Sequence, residues 1–171
     1  MKQGVGPDIW LAGDPSDLQK YMNNGIKGIV TNTVVQKELV QKYGSLTNLT
    51  KEYLNITDKK IAIEIDGNST QELLEVGEKF TELSDQIILK IPCSQIALEA
   101  FSVLKKEGVE TFCTTVFSVS QAVVSAKAGA DHILPFCEPF KDLGLDPTKL
   151  VKDCYNIFKN WEDRPKITAA L

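Results

Sequence analysis

The chain has 171 residues, 43% hydrophobic and 25% charged, which suits one soluble globular domain spanning residues 1–171 with a sizeable core. A net charge of −4 makes nucleic acid and anionic membrane surfaces poor partners, and no apolar stretch approaches the ~20 residues that span a bilayer. The segment Met1–Pro7 has no apolar core of the signal-peptide kind, so a cytoplasmic location is expected.

Short apolar runs alternate with helical patterns from one end to the other. Asp8–Ala12 reads as a strand followed by a helix from about Ser16 to Asn23; Gly28–Thr31 is a second strand, with a helix near Thr33–Tyr43. Leu46–Leu54 reads as an additional short helix or ordered loop. Ile61–Ile65 is the third strand, and Ser69-Thr70-Gln71-Glu72 signals the start of a helix running to about Leu83. Gln86–Pro92 is the fourth strand, Ser94–Lys106 an amphipathic helix ended at Glu107-Gly108, and Thr111–Thr115 the fifth strand. A helix over Ser118–Ala128 closes at Gly129, His132–Pro135 is the sixth strand, and Asp146-Pro147 opens a helix to about Trp161. Lys166–Leu171 reads as a seventh strand.

Strand–helix alternation at this spacing predicts a parallel α/β fold. Polar residues collect at the strand C-terminal ends: Asp14, Thr31 and Asn32, Glu64 and Asp66, Lys90, Thr114 and Thr115, and Glu138. Active sites of β/α barrels form at that face, so a (β/α)8 TIM-barrel type is the first expectation and a flavodoxin-like open sheet the alternative. A full barrel usually needs 200 residues or more, so a C-terminal helix–strand–helix section is apparently lacking. Strand edges left open by that shortfall call for cover, which favours a homo-oligomer.

Side-chain chemistry narrows the function classes. His132 is the only histidine and Arg164 the only arginine, which removes most histidine-based catalytic and metal constellations and leaves lysine or backbone N–H groups to hold an anion. Cys93, Cys113, Cys137 and Cys154 fit neither a zinc-knuckle nor a redox-pair spacing; half-buried free thiols are the simpler reading. Lys90 stands out. It sits in Gln86-Ile87-Ile88-Leu89-Lys90-Ile91-Pro92, a run with no polar face, as in a parallel strand covered on both sides. Burial disfavours the charged form of an amine and frees a nucleophile; a lysine at a solvated strand end that merely snorkels is the competing reading.

These motifs, in this order, resemble the transaldolase family, specifically its short members that include fructose-6-phosphate aldolase. Gly28-Ile29-Val30-Thr31-Asn32 is similar to the family's segment after the second strand, and Ile87–Pro92 to the strand carrying its Schiff-base lysine. Gly108–Thr111, Thr114–Phe117 and Ser120–Ala122 resemble its fifth strand and following helix, and Ala128–Phe136 its A-G-A-x-x-I-x-P-F/Y run.

The resemblance implies a transaldolase-like enzyme that makes or breaks a carbon–carbon bond of a ketose, either a sugar phosphate or a dihydroxyacetone-type donor. Lys90 would be the nucleophile, Glu64 the carboxylate that moves protons with a bound water, and Thr114 the threonine holding that water. Asn32, with Thr31 beside it, would bind substrate hydroxyls. No metal or organic cofactor is needed for this chemistry. Simpler readings stand beside these roles: Glu64 as a salt-bridge partner of Lys90, Asn32 as a helix cap, and Thr114 as a good strand former. The chain also departs from the family. Ala12 replaces an aspartate that shuttles protons, with Asp14 two residues on as a substitute that reaches in from the loop. Pro139 replaces a phosphate-binding arginine, with Lys141 the nearest cation, and Leu171 replaces a serine. A lysine lacks arginine's bidentate fork, so phosphate recognition is expected to be weaker. These losses motivate a second functional reading, a catalytically impaired relative that binds a sugar or a protein.

Overall fold

Among the described residues, seven short strands alternate with helices. The computed structural model describes residues 7–22 and 25–170. In order the elements are β1 (Ile9–Leu11), α1 (Pro15–Leu18) continued by a 3-10 turn (Gln19–Tyr21), β2 (Ile26–Val30), α2 (Thr33–Tyr43), α3 (Leu46–Ile56), β3 (Lys60–Glu64), α4 (Thr70–Thr81) and β4 (Ile87–Pro92). There follow α5 (Gln95–Lys106), β5 (Thr111–Val116), α6 (Val119–Ala128), β6 (His132–Pro135), α7 (Glu138–Asp142), α8 (Lys149–Phe158) and β7 (Lys166–Ile167). The strand order follows the chain order, β1 to β7. Parallel pairing joins β1 to β2, β2 to β3, β4 to β5, β5 to β6 and β6 to β7. The fold is therefore of the parallel (β/α)8 TIM-barrel type, with seven of the strands in the described residues.

Helix starts follow from polar residues placed one step ahead of each apolar run. Asn32, Ser45, Ser94 and Ser118 are N-caps whose side chains accept the N–H of the residue three further on, and Ser69 Oγ accepts the N–H of Glu72 in the same way. Gly129 ends α6 in the left-handed conformation at φ 112°. Leu46–Ile56 is a full helix, resolving the choice left between helix and loop.

Three expectations shift. The helix expected from Asp146 starts only at Lys149, because Asp146 Oδ1 instead accepts the backbone N–H and hydroxyl of Thr148 in a local turn. A short helix, α7, occupies 138–142, where no element was expected. The final strand is two residues long, followed by an isolated bridge between Phe136 and Ala170; Leu171 and Asn23 lie outside the described residues.

Two compact units divide these elements. The first comprises Met1–Glu64 and Glu78–Ile88, the second Ile65–Gly77 and Leu89–Leu171. In the first, β1, β2 and β3 pair side by side and Ile61 N–H donates to the Gln86 carbonyl; Ile29, Leu49, Tyr53, Ile61 and Ile63 are fully buried. In the second, β4 to β7 pair in turn and Ile65 N–H donates to the Lys90 carbonyl. Its core holds Leu89, Ile91, Phe101, Phe112, Ile133 and Phe158.

Gly28 marks a close approach in the first unit. A Cβ there would overlap the Lys60 carbonyl oxygen and come within 2.7 Å of the Trp10 ring. Gly28→Ala should therefore cost about 3 kcal/mol, the upper range for overpacking a well-filled site. A urea-unfolding midpoint unchanged by the substitution would contradict this packing.

Candidate functional site

Alternation along β4 and β5 sorts side chains onto two faces. Leu89 faces α4, where a Cβ on Gly77 would meet its Cδ1 at 2.6 Å. Cys113, in register with Ile91, touches α6 through Ser125. Those residues therefore line the helix-facing side. Period two puts Lys90, Phe112 and Thr114 on the other side. Register extends the row, with Lys90 opposite Phe112, Phe112 opposite His132, and His132 opposite Lys166.

Lys90 is 5% exposed and sits at the fourth position of a strand whose first five residues are all buried. It is not a snorkelling lysine at a wet strand end. Phe112 beside it is fully buried and stacks on His132 with ring centroids 3.9 Å apart. Glu110 carboxylate and His132 Nε2 lie 2.8 Å apart, and Lys166 Nζ is 3.9 Å from the same carboxylate oxygen.

Thr114, further toward the C-terminal end of β5, is 1% exposed. Its hydroxyl has no hydrogen-bond partner among the described residues. A buried hydroxyl left unpaired costs about 1–3 kcal/mol, so this one is suited to a ligand or water. Thr115 next to it has φ 53°, a left-handed conformation unusual for a β-branched residue, at an irregularity in the β5–β6 register. Its hydroxyl accepts the Cys93 N–H at 3.2 Å, and the Thr114 carbonyl accepts the same N–H at 2.9 Å.

The first unit contains Asp14, Thr31, Asn32 and Glu64. Glu64 is 6% exposed at the end of β3. Its backbone N–H donates to Thr31 Oγ1 at 2.8 Å, Thr31 Oγ1 donates to the Ala62 carbonyl, and Gln36 Nε2 donates to both Thr31 Oγ1 and the Glu64 carbonyl. Thr31 thus braces the ends of β2 and β3, with its hydroxyl saturated. Ile29, Thr31, Ile61 and Ile63 form the helix-facing side, and alternation directs Glu64 to the side shared with Ala62 and Val30. Asn32 Oδ1 caps α2 by accepting the Val35 N–H at 2.8 Å, which leaves its amide nitrogen without a hydrogen bond among the described residues.

Asp14 has a different set of partners. Its carboxylate caps α1 through the Ser16 N–H, and also accepts from Ser16 Oγ, Tyr43 OH and Lys42 Nζ, the last two at 2.6 Å. Burial pushes its carboxyl up, but the hydrogen bonds from Lys42, Tyr43 and Ser16 outweigh that and hold it well below the usual carboxylate range. Lys141 in the second unit is solvent-exposed on α7, and Ala12 is exposed just after β1.

Gln36 is the residue that sequence reasoning missed. It is 8% exposed and holds both the threonine and the backbone that position Glu64. Its only signal was its place four residues after Asn32, one turn into a helix beginning at a strand end. No cluster of three metal-ligating side chains occurs among the described residues, and none of their helices is long and apolar enough to cross a membrane.

Comparison with known proteins gives a consistent result. A family model described as Transaldolase/Fructose-6-phosphate aldolase matches residues 13–170. A probable transaldolase of Coprothermobacter proteolyticus is 33% identical over 144 residues, 84% of this chain and 66% of the relative. One from Clostridium botulinum is 30% identical over 158 residues, covering 92% and 73% respectively. One from Hydrogenobaculum sp. is 32% identical over 144 residues, covering 84% and 66%. The chain spans about two thirds to three quarters of the length of these relatives.

Two outcomes follow from the bracing around Asp14 and Thr31. A carboxyl whose folded pKa is depressed stabilises the fold above its unfolded pKa of about 3.9 and loses that contribution as pH falls through the folded value. The stability gap between wild type and Asp14→Asn should therefore be full at pH 7 and shrink below about pH 4, measured by urea unfolding at each pH. Thr31→Val strands the Glu64 N–H and one Gln36 donor; a loss of about 1–3 kcal/mol is expected in the same assay.

Proposed function

The chain belongs to the transaldolase/fructose-6-phosphate aldolase family, and from that membership we propose that it forms a Schiff base through Lys90 to make or break a carbon–carbon bond of a ketose. The observation that carries the reading is the burial of Lys90 within an apolar strand, on the side away from the helices, in register with Phe112 and on the same face as Thr114.

The amine of Lys90 attacks the ketose carbonyl, and water leaves to give an iminium ion. The iminium accepts the electron pair of the carbon–carbon bond one atom away, so the bond breaks to an enamine and an aldehyde. With fructose 6-phosphate the departing aldehyde is glyceraldehyde 3-phosphate. The enamine then attacks an acceptor aldehyde, or takes a proton and is hydrolysed to dihydroxyacetone. Glu64 is assigned the proton transfers, and the hydroxyl of Thr114, which has no partner among the described residues, is assigned the holding of a water. Asn32, whose amide nitrogen stays available while its oxygen caps α2, is assigned a substrate hydroxyl. Lys141 is the cation assigned to a phosphate. Asp14 takes no part in this scheme, because its oxygens are occupied by Lys42, Tyr43 and Ser16. A homo-oligomer is part of the same proposal.

The test is release of glyceraldehyde 3-phosphate from fructose 6-phosphate, with and without an acceptor aldehyde. Wild type should be active and Lys90→Met inactive. Thr114→Val and Glu64→Ala should each lower kcat by about 10²–10⁴-fold with little change in KM, as removal of proton-transfer groups does. Activity retained in Lys90→Met would overturn the proposal.

A further inference from the structure

On the helix-facing side of β4 and β5, away from the Lys90 row, two thiols meet at one hydroxyl. Cys113 is fully buried on β5, and its thiol donates to Ser125 Oγ of α6 at 3.1 Å. Cys93, the residue after β4, is half-buried, with its Sγ 3.6 Å from the same oxygen. Its backbone is pinned against β5 by the N–H bonds to the Thr114 carbonyl and Thr115 Oγ1. It also directly precedes Ser94, the N-cap of the 12-residue helix α5, which puts residue 93 at the positive end of a helix dipole.

We propose that Cys93 and Cys113 are a peroxide-reactive pair, Cys93 being oxidised first and Cys113 resolving it to an intrachain disulfide. The Cys93 thiolate attacks one oxygen of a hydroperoxide. The O–O bond breaks, the sulfur loses two electrons to become a sulfenic acid, and the other oxygen leaves as hydroxide. The Cys113 sulfur then attacks the Cys93 sulfur. An S–S bond forms, the S–O bond breaks, and the departing hydroxide takes the Cys113 proton as water. Two thiols and one hydrogen peroxide give a disulfide and two waters.

Three features divide the roles. Cys93 is the solvent-reachable member and Cys113 the buried one. Ser125 Oγ accepts the hydrogen bond of the Cys113 thiol, which leaves its own O–H able to donate to the Cys93 sulfur. The neighbouring Cys113 and Ser125 side chains hold the Cys93 thiol below its ordinary range against the effect of burial, while proximity to Cys93 and burial push Cys113 up. By contrast, burial pushes Cys137 up and takes Cys154 up to about 11. Those two provide internal controls.

The test is peptide mass spectrometry after treating the reduced protein with a few-fold excess of hydrogen peroxide, then unfolding it in iodoacetamide. The expected product is a Cys93–Cys113 linked peptide, two hydrogens lighter than the free pair and restored by dithiothreitol, with Cys137 and Cys154 alkylated. Dimedone added with the peroxide should label Cys93 in Cys113→Ser, and Ser125→Ala should slow oxidation by about 10-fold. Oxidation of Cys93 no faster than that of Cys154 would overturn the proposal. So would a link to a second chain, or a wild-type protein whose Cys93 stops at sulfenic acid while Cys113 stays a free thiol. None of these readouts depends on aldolase activity.

Discussion

A parallel strand covered by helices on one side must send every second residue to the other side, and β4 uses that constraint to bury an amine. Leu89 and Ile91 take the helix-facing positions, so Lys90 is carried to the opposite face regardless of its own preference for water. Register then sets its neighbours: Phe112 across the strand, His132 beyond it, and Thr114 one step further along β5. Removing a charged amine from water costs several kcal/mol, and the packed strand supplies the cohesion that offsets it. A flexible loop could not hold a lysine in this way.

The same economy recurs where strands end. On β2 and β3, one threonine hydroxyl links the Ala62 carbonyl and the Glu64 N–H, and Gln36 reaches from α2 to secure both. On β5 the arrangement is different. The chain turns through a left-handed threonine, and the hydroxyl just before it is left open. Saturated groups position the backbone; unsaturated ones are the candidates for substrate or water. That distinction separates Thr31, a brace, from Thr114, and it separates Asp14, wrapped by Lys42 and Tyr43, from the amide nitrogen of Asn32.

Much of this was legible from residue order. The apolar run around Lys90 predicted a covered strand, and serines ahead of apolar periods located the helix starts. What escaped depended on partners distant in sequence. Gln36 reads as a solvated helix residue until β3 is laid beside it. Asp14 looks like a loop carboxylate until Lys42 and Tyr43, 28 and 29 residues on, close over it. The convergence of Cys93 and Cys113 on Ser125 crosses three elements and has no spacing signature. Local preferences also misjudged the start of α8, where a side-chain turn at Asp146 competed with the helix.

Whether Lys90 acts as a nucleophile is decided by borohydride trapping. The folded protein would be incubated separately with fructose 6-phosphate, fructose and dihydroxyacetone, reduced, and digested for mass spectrometry. A reduced adduct is expected on the peptide carrying Lys90, absent from Lys90→Ala. A folded sample that yields no adduct with any of the three donors, or yields one on a different lysine, would contradict it.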